Sequence, residues 1–174
     1  EDGSTAARVW MEIGRVSRSL GRFADSEQAF NQALEYYETT GNQVGQANLH
    51  NSLGVLHQAR GDYISATSSL ERAIHYSRVS RSPRLEAYTL TSIGDLYQEM
   101  RAWQEALEAY RQARGIARQL RDGYLLFYLN RFEARLLISQ GETARARDLL
   151  EDAQAMASER GSQFEQNAVR MEWG

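Results

Sequence analysis

The sequence predicts an all-α chain built of helical hairpins that recur every 40 residues, and three observations carry that prediction. Ala, Leu, Gln, Glu and Arg are plentiful, and the 174 residues contain one proline, Pro83, which together favour helices. Small residues return in phase at Gly14, Gly54, Gly94 and Gly174, with Ala134 in the missing place. Two further series keep the same period: Gly21, Gly61, Arg101, Gly141, and Gly41, Arg81, Arg121, Gly161. A repeat of 20–50 residues is the signature of a stacked array.

The elements follow in chain order. A first helix over 5–19 carries Ile13, Gly14 and Val16 and ends before Gly21, where glycine removes the steric cost of a positive φ. Its partner, 23–38, places Phe23, Ser26, Phe30 and Ala33 three or four residues apart, on one stripe. The pattern then repeats. Leu53, Gly54 and Leu56 lie on 43–59, and Tyr63, Ala66, Leu70 and Ala73 on 63–79, with Asp62 as its N-cap. Ser82 and Pro83 open 83–100, where a first-turn proline is tolerated and Ile93, Gly94 and Leu96 follow. Trp103, Ala106, Tyr110 and Ala113 mark 103–119. Ala134 and Leu136 fall on 123–139, and Ala146, Leu150 and Ala153 on 143–159. A ninth helix from about 162 runs to Trp173-Gly174, where a fifth unit would place its apolar-Gly pair, so a fragment of a longer array is expected.

Composition narrows the function. A net charge of −3 and a pI near 5.7 give no basic footprint for nucleic acid. All 20 basic residues are Arg, a bias that accompanies GC-rich bacterial genomes. Without cysteine there is no disulfide, thiolate metal site or cysteine nucleophile. Apolar runs such as 124–129 are too short to span a bilayer, so a cytoplasmic protein away from the membrane is expected. His50 and His57 share a helical face but have no third ligand, which makes packing the expected role and metal binding not. No phosphate loop, dinucleotide fingerprint or nucleophile elbow is present. No enzyme activity, catalytic set, metal or cofactor is expected. Tyr124, Phe127 and Tyr128 form the most apolar patch, a candidate protein contact.

The columns resemble the tetratricopeptide repeat. Its first helix carries an aromatic-x-x-Leu-Gly pattern, matched by Trp10-Met11-Glu12-Ile13-Gly14, Leu53-Gly54 and Ile93-Gly94-Asp95-Leu96-Tyr97. Its second helix carries Ala, Tyr/Phe and Ala, matched by Tyr63, Ala66 and Ala73, then by Trp103, Ala106, Tyr110 and Ala113. Repeat four departs at Glu133, Ala134 and Thr143. The 40-residue unit is similar to the long repeats of kinesin light chains, spindle adaptors and bacterial regulators of the maltose-activator type. The resemblance implies one solenoid domain over 1–174, a right-handed α-α superhelix with repeats at 5–41, 42–81, 82–121 and 122–161. Residues 162–174 would be a partial fifth repeat or a cap.

The resemblance also implies an open concave surface lined by the first helix of each unit. Carried over residue by residue, that surface takes Arg8, Met11, Arg15 and Arg18 from repeat one, and Asn48, Asn51, Val55 and Gln58 from repeat two. Repeat three gives Tyr88, Thr91, Asp95 and Gln98, and repeat four Tyr128, Arg131 and Arg135. Asn suits an extended peptide backbone and Arg suits carboxylates. The implied partner is therefore a protein or peptide of mixed charge. Met11, Arg15, Ser52, Tyr88 and Ser92 replace the clamp with which some family members grip chaperone tails, so that partner is not expected. The alternatives are a sensory segment of a large bacterial regulator and self-association through the repeat ends.

Overall fold

A computed structural model describes residues 3–173, with side chains through Met171, so Gly174 of the first small-residue series lies outside the described residues. All regular structure among them is helical: α1 (Gly3–Ser19), α2 (Phe23–Thr39), α3 (Gln43–Ala59), α4 (Tyr63–Val79), α5 (Pro83–Glu99), α6 (Trp103–Leu120), α7 (Gly123–Ser139), α8 (Thr143–Glu159) and α9 (Gln163–Trp173). The expected helices are found in the expected order, with α1 starting two residues early.

One turn is used eight times. The residue at the turn adopts a left-handed φ at Gly21, Gly41, Gly61, Arg81, Arg101, Arg121, Gly141 and Gly161. The next N–H donates back across five residues, as Arg22 does to Ser17 (2.9 Å) and Ser162 to Ala157 (3.1 Å). This closes the orphan carbonyls of each helix end in a Schellman motif. Starts are capped less uniformly. Asn42, Asp62 and Asp122 accept from Gly45, Ser65 and Leu125 backbone N–H groups at 2.9–3.1 Å. Ser65 bonding also holds the Asp62 carboxyl below its usual range.

The chain forms two compact units, one up to Leu96 and one from Tyr97 onward. In the first, Phe30, Ala33, Tyr37, Leu49, Leu53 and Leu56 form a buried cluster between α1, α2 and α3. Glycine sets how close the helices come. A Cβ on Gly14 would lie 2.4 Å from the Phe30 ring, one on Gly45 2.3 Å from Tyr37, and one on Gly54 2.6 Å from Leu70. Ser26, standing where later units have Ala, donates to the Gly14 carbonyl at 2.7 Å. Ala66, Leu70 and Leu96 join α4 to α5.

In the second unit, Phe127, Ala134, Leu137, Ala146, Leu150, Ala153, Ala157 and Val169 form the core of α7, α8 and α9. Phe127 is therefore core, which corrects its place in the expected surface patch: only Tyr124 of that trio is exposed. Glu133 occupies the column filled by Leu53 and Ile93. The Arg114 guanidinium, in the column of Leu34 and Ile74, pairs with it and donates to Asn130 at 3.0 Å. The apolar packing of Leu34 and Leu53 at the seam of repeats one and two has become an ion pair at the seam of repeats three and four.

Candidate functional site

α1, α3 and the start of α5 surround an open groove of about 450 Å³ in the first unit. Its walls are Met11, Arg15, Arg18, Asn48, Asn51, Ser52, Val55, Arg84, Leu85 and Tyr88. These residues share one side because each helix repeats its face every three or four positions: 11, 15, 18 on α1; 48, 51, 52, 55 on α3; 84, 85, 88 on α5.

The groove is cationic. Three arginines and no carboxylate line it, although the chain as a whole is acidic. Arg15 pairs with Glu12 beside the groove. Arg18 is half-buried, and burial, with the Arg15 charge next to it, pulls its guanidinium below the usual arginine range. Arg84 lies 5.9 Å from the Tyr88 ring centre. Asn48 spends its amide N–H on the Val44 carbonyl at 3.1 Å, and the Ser52 hydroxyl donates to the Asn48 carbonyl at 3.0 Å. The Asn51 Oδ1 is shielded from solvent and accepts no hydrogen bond. Met11 and Val55 supply apolar floor, and the Met11 sulfur accepts from the Tyr37 hydroxyl at 3.4 Å.

The structure thus brings together seven of the residues singled out from sequence: Met11, Arg15, Arg18, Asn48, Asn51, Val55 and Tyr88. Arg8 is exposed on α1 and Gln58 half-buried on α3, both outside the groove walls. Thr91 is buried, its hydroxyl donating to the Ala87 carbonyl at 2.9 Å, so it faces the interior rather than an open surface. Asp95 is half-buried and already engaged. Arg84 and Leu85 were missed; the signal was Arg84 standing one helical turn before Tyr88 at the opening of α5.

The second unit holds the remaining candidates. Gln98 accepts from the Tyr110 hydroxyl at 3.2 Å. Tyr128, Arg131 and Arg135 follow one face of α7. Arg131 lies over Phe127 at 5.7 Å and Arg135 over Phe132 at 5.2 Å. The Tyr128 hydroxyl accepts from Tyr124 at 3.1 Å, and burial, reinforced by Tyr124, pushes its phenol up to about 12. These groups serve packing as much as an open surface.

His50 is buried, stacked at 5.6 Å on Tyr76, and its Nε2 has no hydrogen-bond partner. Burial and the Arg72 charge lower its pKa to about 4, so it is neutral at physiological pH. Among the described residues no group of three His, Asp or Glu could hold a metal, and no helix is long and apolar enough to cross a membrane.

Helical hairpins that recur every 40 residues define a helical-repeat protein. Tetratricopeptide repeat models match residues 5–76 and 89–124, together more than half of the chain. The chain belongs to the tetratricopeptide repeat family. Its all-α solenoid fold is also that of several solved structures. Aspartyl phosphate phosphatase F from Bacillus subtilis superposes with a TM-score of 0.86 at 14% identity, over 99% of this chain and 45% of that one. The apo form of RapI gives 0.78 at 15% identity, over 97% and 47%. The nearly identical TPR-like repeats of a protein assigned as a kinesin light chain from Podosopora anserina give 0.69 at 19%, over 99% and 85%. At these identities the likeness is one of fold, and this chain spans less than half the length of the first two. No curated protein matches the chain.

Proposed function

We propose that the chain is a non-enzymatic protein–protein interaction module that binds a peptide or partner protein along the face formed by α1, α3 and α5. The observation that carries this reading is the groove itself. It is open, partly apolar, lined by Arg and Asn, and walled by the first helix of three successive hairpins, the lining stepping toward the helix start from α1 to α5. Its side chains offer recognition chemistry without a base poised beside a nucleophile. Filling it, or stripping one of its polar groups, is the direct test. Val55→Arg and Asn51→Ala should each abolish retention of proteins that the natural chain captures from a lysate of its source, with the helical circular dichroism unchanged. Retention of the same proteins by both variants would place binding elsewhere.

A second reading, self-association, rests on α1. Val9, Ile13, Val16 and Leu20, spaced four, three and four, are exposed, whereas Leu49, Leu53 and Leu56 in the same columns of α3 are buried. Such a stripe can seat another helix. Light scattering that gives a concentration-independent monomer mass would reject it. A third reading, a regulatory segment within a longer polypeptide, is motivated by the two longer structures that share the fold. Loss of regulation on Val55→Arg in that polypeptide would support it.

A further inference from the structure

The groove's electrostatics say more about its ligand than that it is a peptide, and this step rests on the interaction reading above. Arg15 has a carboxylate of its own in Glu12. The Arg18 guanidinium makes neither an ion pair nor a hydrogen bond among the described residues, yet the residue is half-buried and sits within reach of the Arg15 field. A partly desolvated cation beside a like charge is unfavourable until an anion joins it. Met11, Val55, Leu85 and Tyr88 give the same groove its apolar wall. A polyanion is disfavoured because the chain's net charge of −3 repels it outside the groove.

We infer that the groove reads an internal acidic residue, an Asp or Glu side chain flanked by an apolar residue, with Arg18 as the carboxylate anchor. Arg15, kept in place by Glu12, provides the second cationic wall. The apolar neighbour of the acidic residue lies on Val55, Leu85 and Tyr88. Asn51, whose Oδ1 lacks a partner, turns its amide to the ligand backbone and accepts a peptide N–H. Guanidinium recognition of carboxylate is directional and two-pronged, so Asp and Glu are selected over any merely polar side chain.

The test uses the full chain and a random octapeptide library, acetylated and amidated so that no terminal charge competes. The expected result is enrichment of peptides with Asp or Glu next to a large apolar residue. For the best of these, measured by fluorescence anisotropy, Glu→Gln in the peptide weakens binding tenfold or more. Arg18→Gln in the protein weakens binding by a similar factor and abolishes the difference between the Glu and Gln peptides. Binding weakens as salt is raised. Peptides selected without an acidic preference, or an acidic preference unchanged by Arg18→Gln, overturn the anchor while leaving the groove as a peptide site. A second library with free C-termini that alone yields binders would assign the charge to a terminal carboxylate and overturn it too. A library that yields no binder in either form removes both the anchor and the peptide reading.

Discussion

Arg81, Arg101 and Arg121 stand at three of the eight turns with φ of 52°, 60° and 52°, where the other five turns carry glycine. A left-handed conformation costs a residue with a Cβ about 1–2 kcal/mol. None of the three forms an ion pair or hydrogen bond through its side chain among the described residues, and all are exposed, so glycine would lose no contact. Glycine's greater freedom in the unfolded chain takes back about 0.5–1 kcal/mol. The net gain is about 0.5–1 kcal/mol per site, and the sites are far enough apart in sequence, one per turn, to add. The triple variant Arg81→Gly, Arg101→Gly, Arg121→Gly should therefore be about 2 kcal/mol more stable, a rise of about 4–8 °C in Tm. Urea and thermal unfolding followed by circular dichroism measure it. Gly61→Arg, placing a side chain at φ 77°, should fall by a similar amount per site. A triple variant no more stable than the parent would refute the claim that the turn conformation, and not a side-chain contact, sets the preference.

Other expectations follow from particular contacts. Gly115 lies exposed within α6, with open space where a Cβ would stand, so Gly115→Ala should stabilise by about 0.5–1 kcal/mol in chemical denaturation. Gly14→Ala should cost about 1–3 kcal/mol by driving a methyl into Phe30, and Phe30→Leu in the same chain should recover part of it. His50 resists protonation down to about pH 4 when folded but takes a proton near 6.5 when unfolded. Its stabilising share is thus complete above about pH 6.5 and is lost as pH falls toward 4, by about 2 kcal/mol once solvent screening of the exposed Arg72 charge is allowed for. His50→Leu, the residue type found at Leu90 one repeat later, should flatten that part of the pH-stability curve. Arg114→Ala leaves Glu133, its side chain 14% exposed, without its partner and should cost about 3 kcal/mol, whereas Arg114→Leu with Glu133→Leu should be near neutral.

The helices and turns were legible because period, small residues and turn residues agree along the chain. The positive φ of the three arginines was legible from phase alone, since propensity argues against it. The groove was legible in its α1 and α3 walls, where the family pattern fixes the face. It was less so on α5, whose first turn contributes Arg84 while Thr91 folds back on its own helix. Glu133 was visible as a departure from the repeat, but its cause was not. Arg114 lies 19 residues earlier in another helix, and only packing shows that two departures answer each other.

The eight matching turns would by themselves allow a unit to be excised anywhere: removing 42–81 joins Gly41 to Ser82 and recreates the same helix end. The seams between hairpins forbid it. Tyr37 fills the space that Gly45 leaves, and the excision would offer it Leu85, the residue at the corresponding place. Later seams set Ser77 opposite the Leu85 column and Ala117 opposite the Leu125 column, small against large in the reverse sense. The joints are interchangeable while the teeth are keyed, so the order of the hairpins is itself written into the protein.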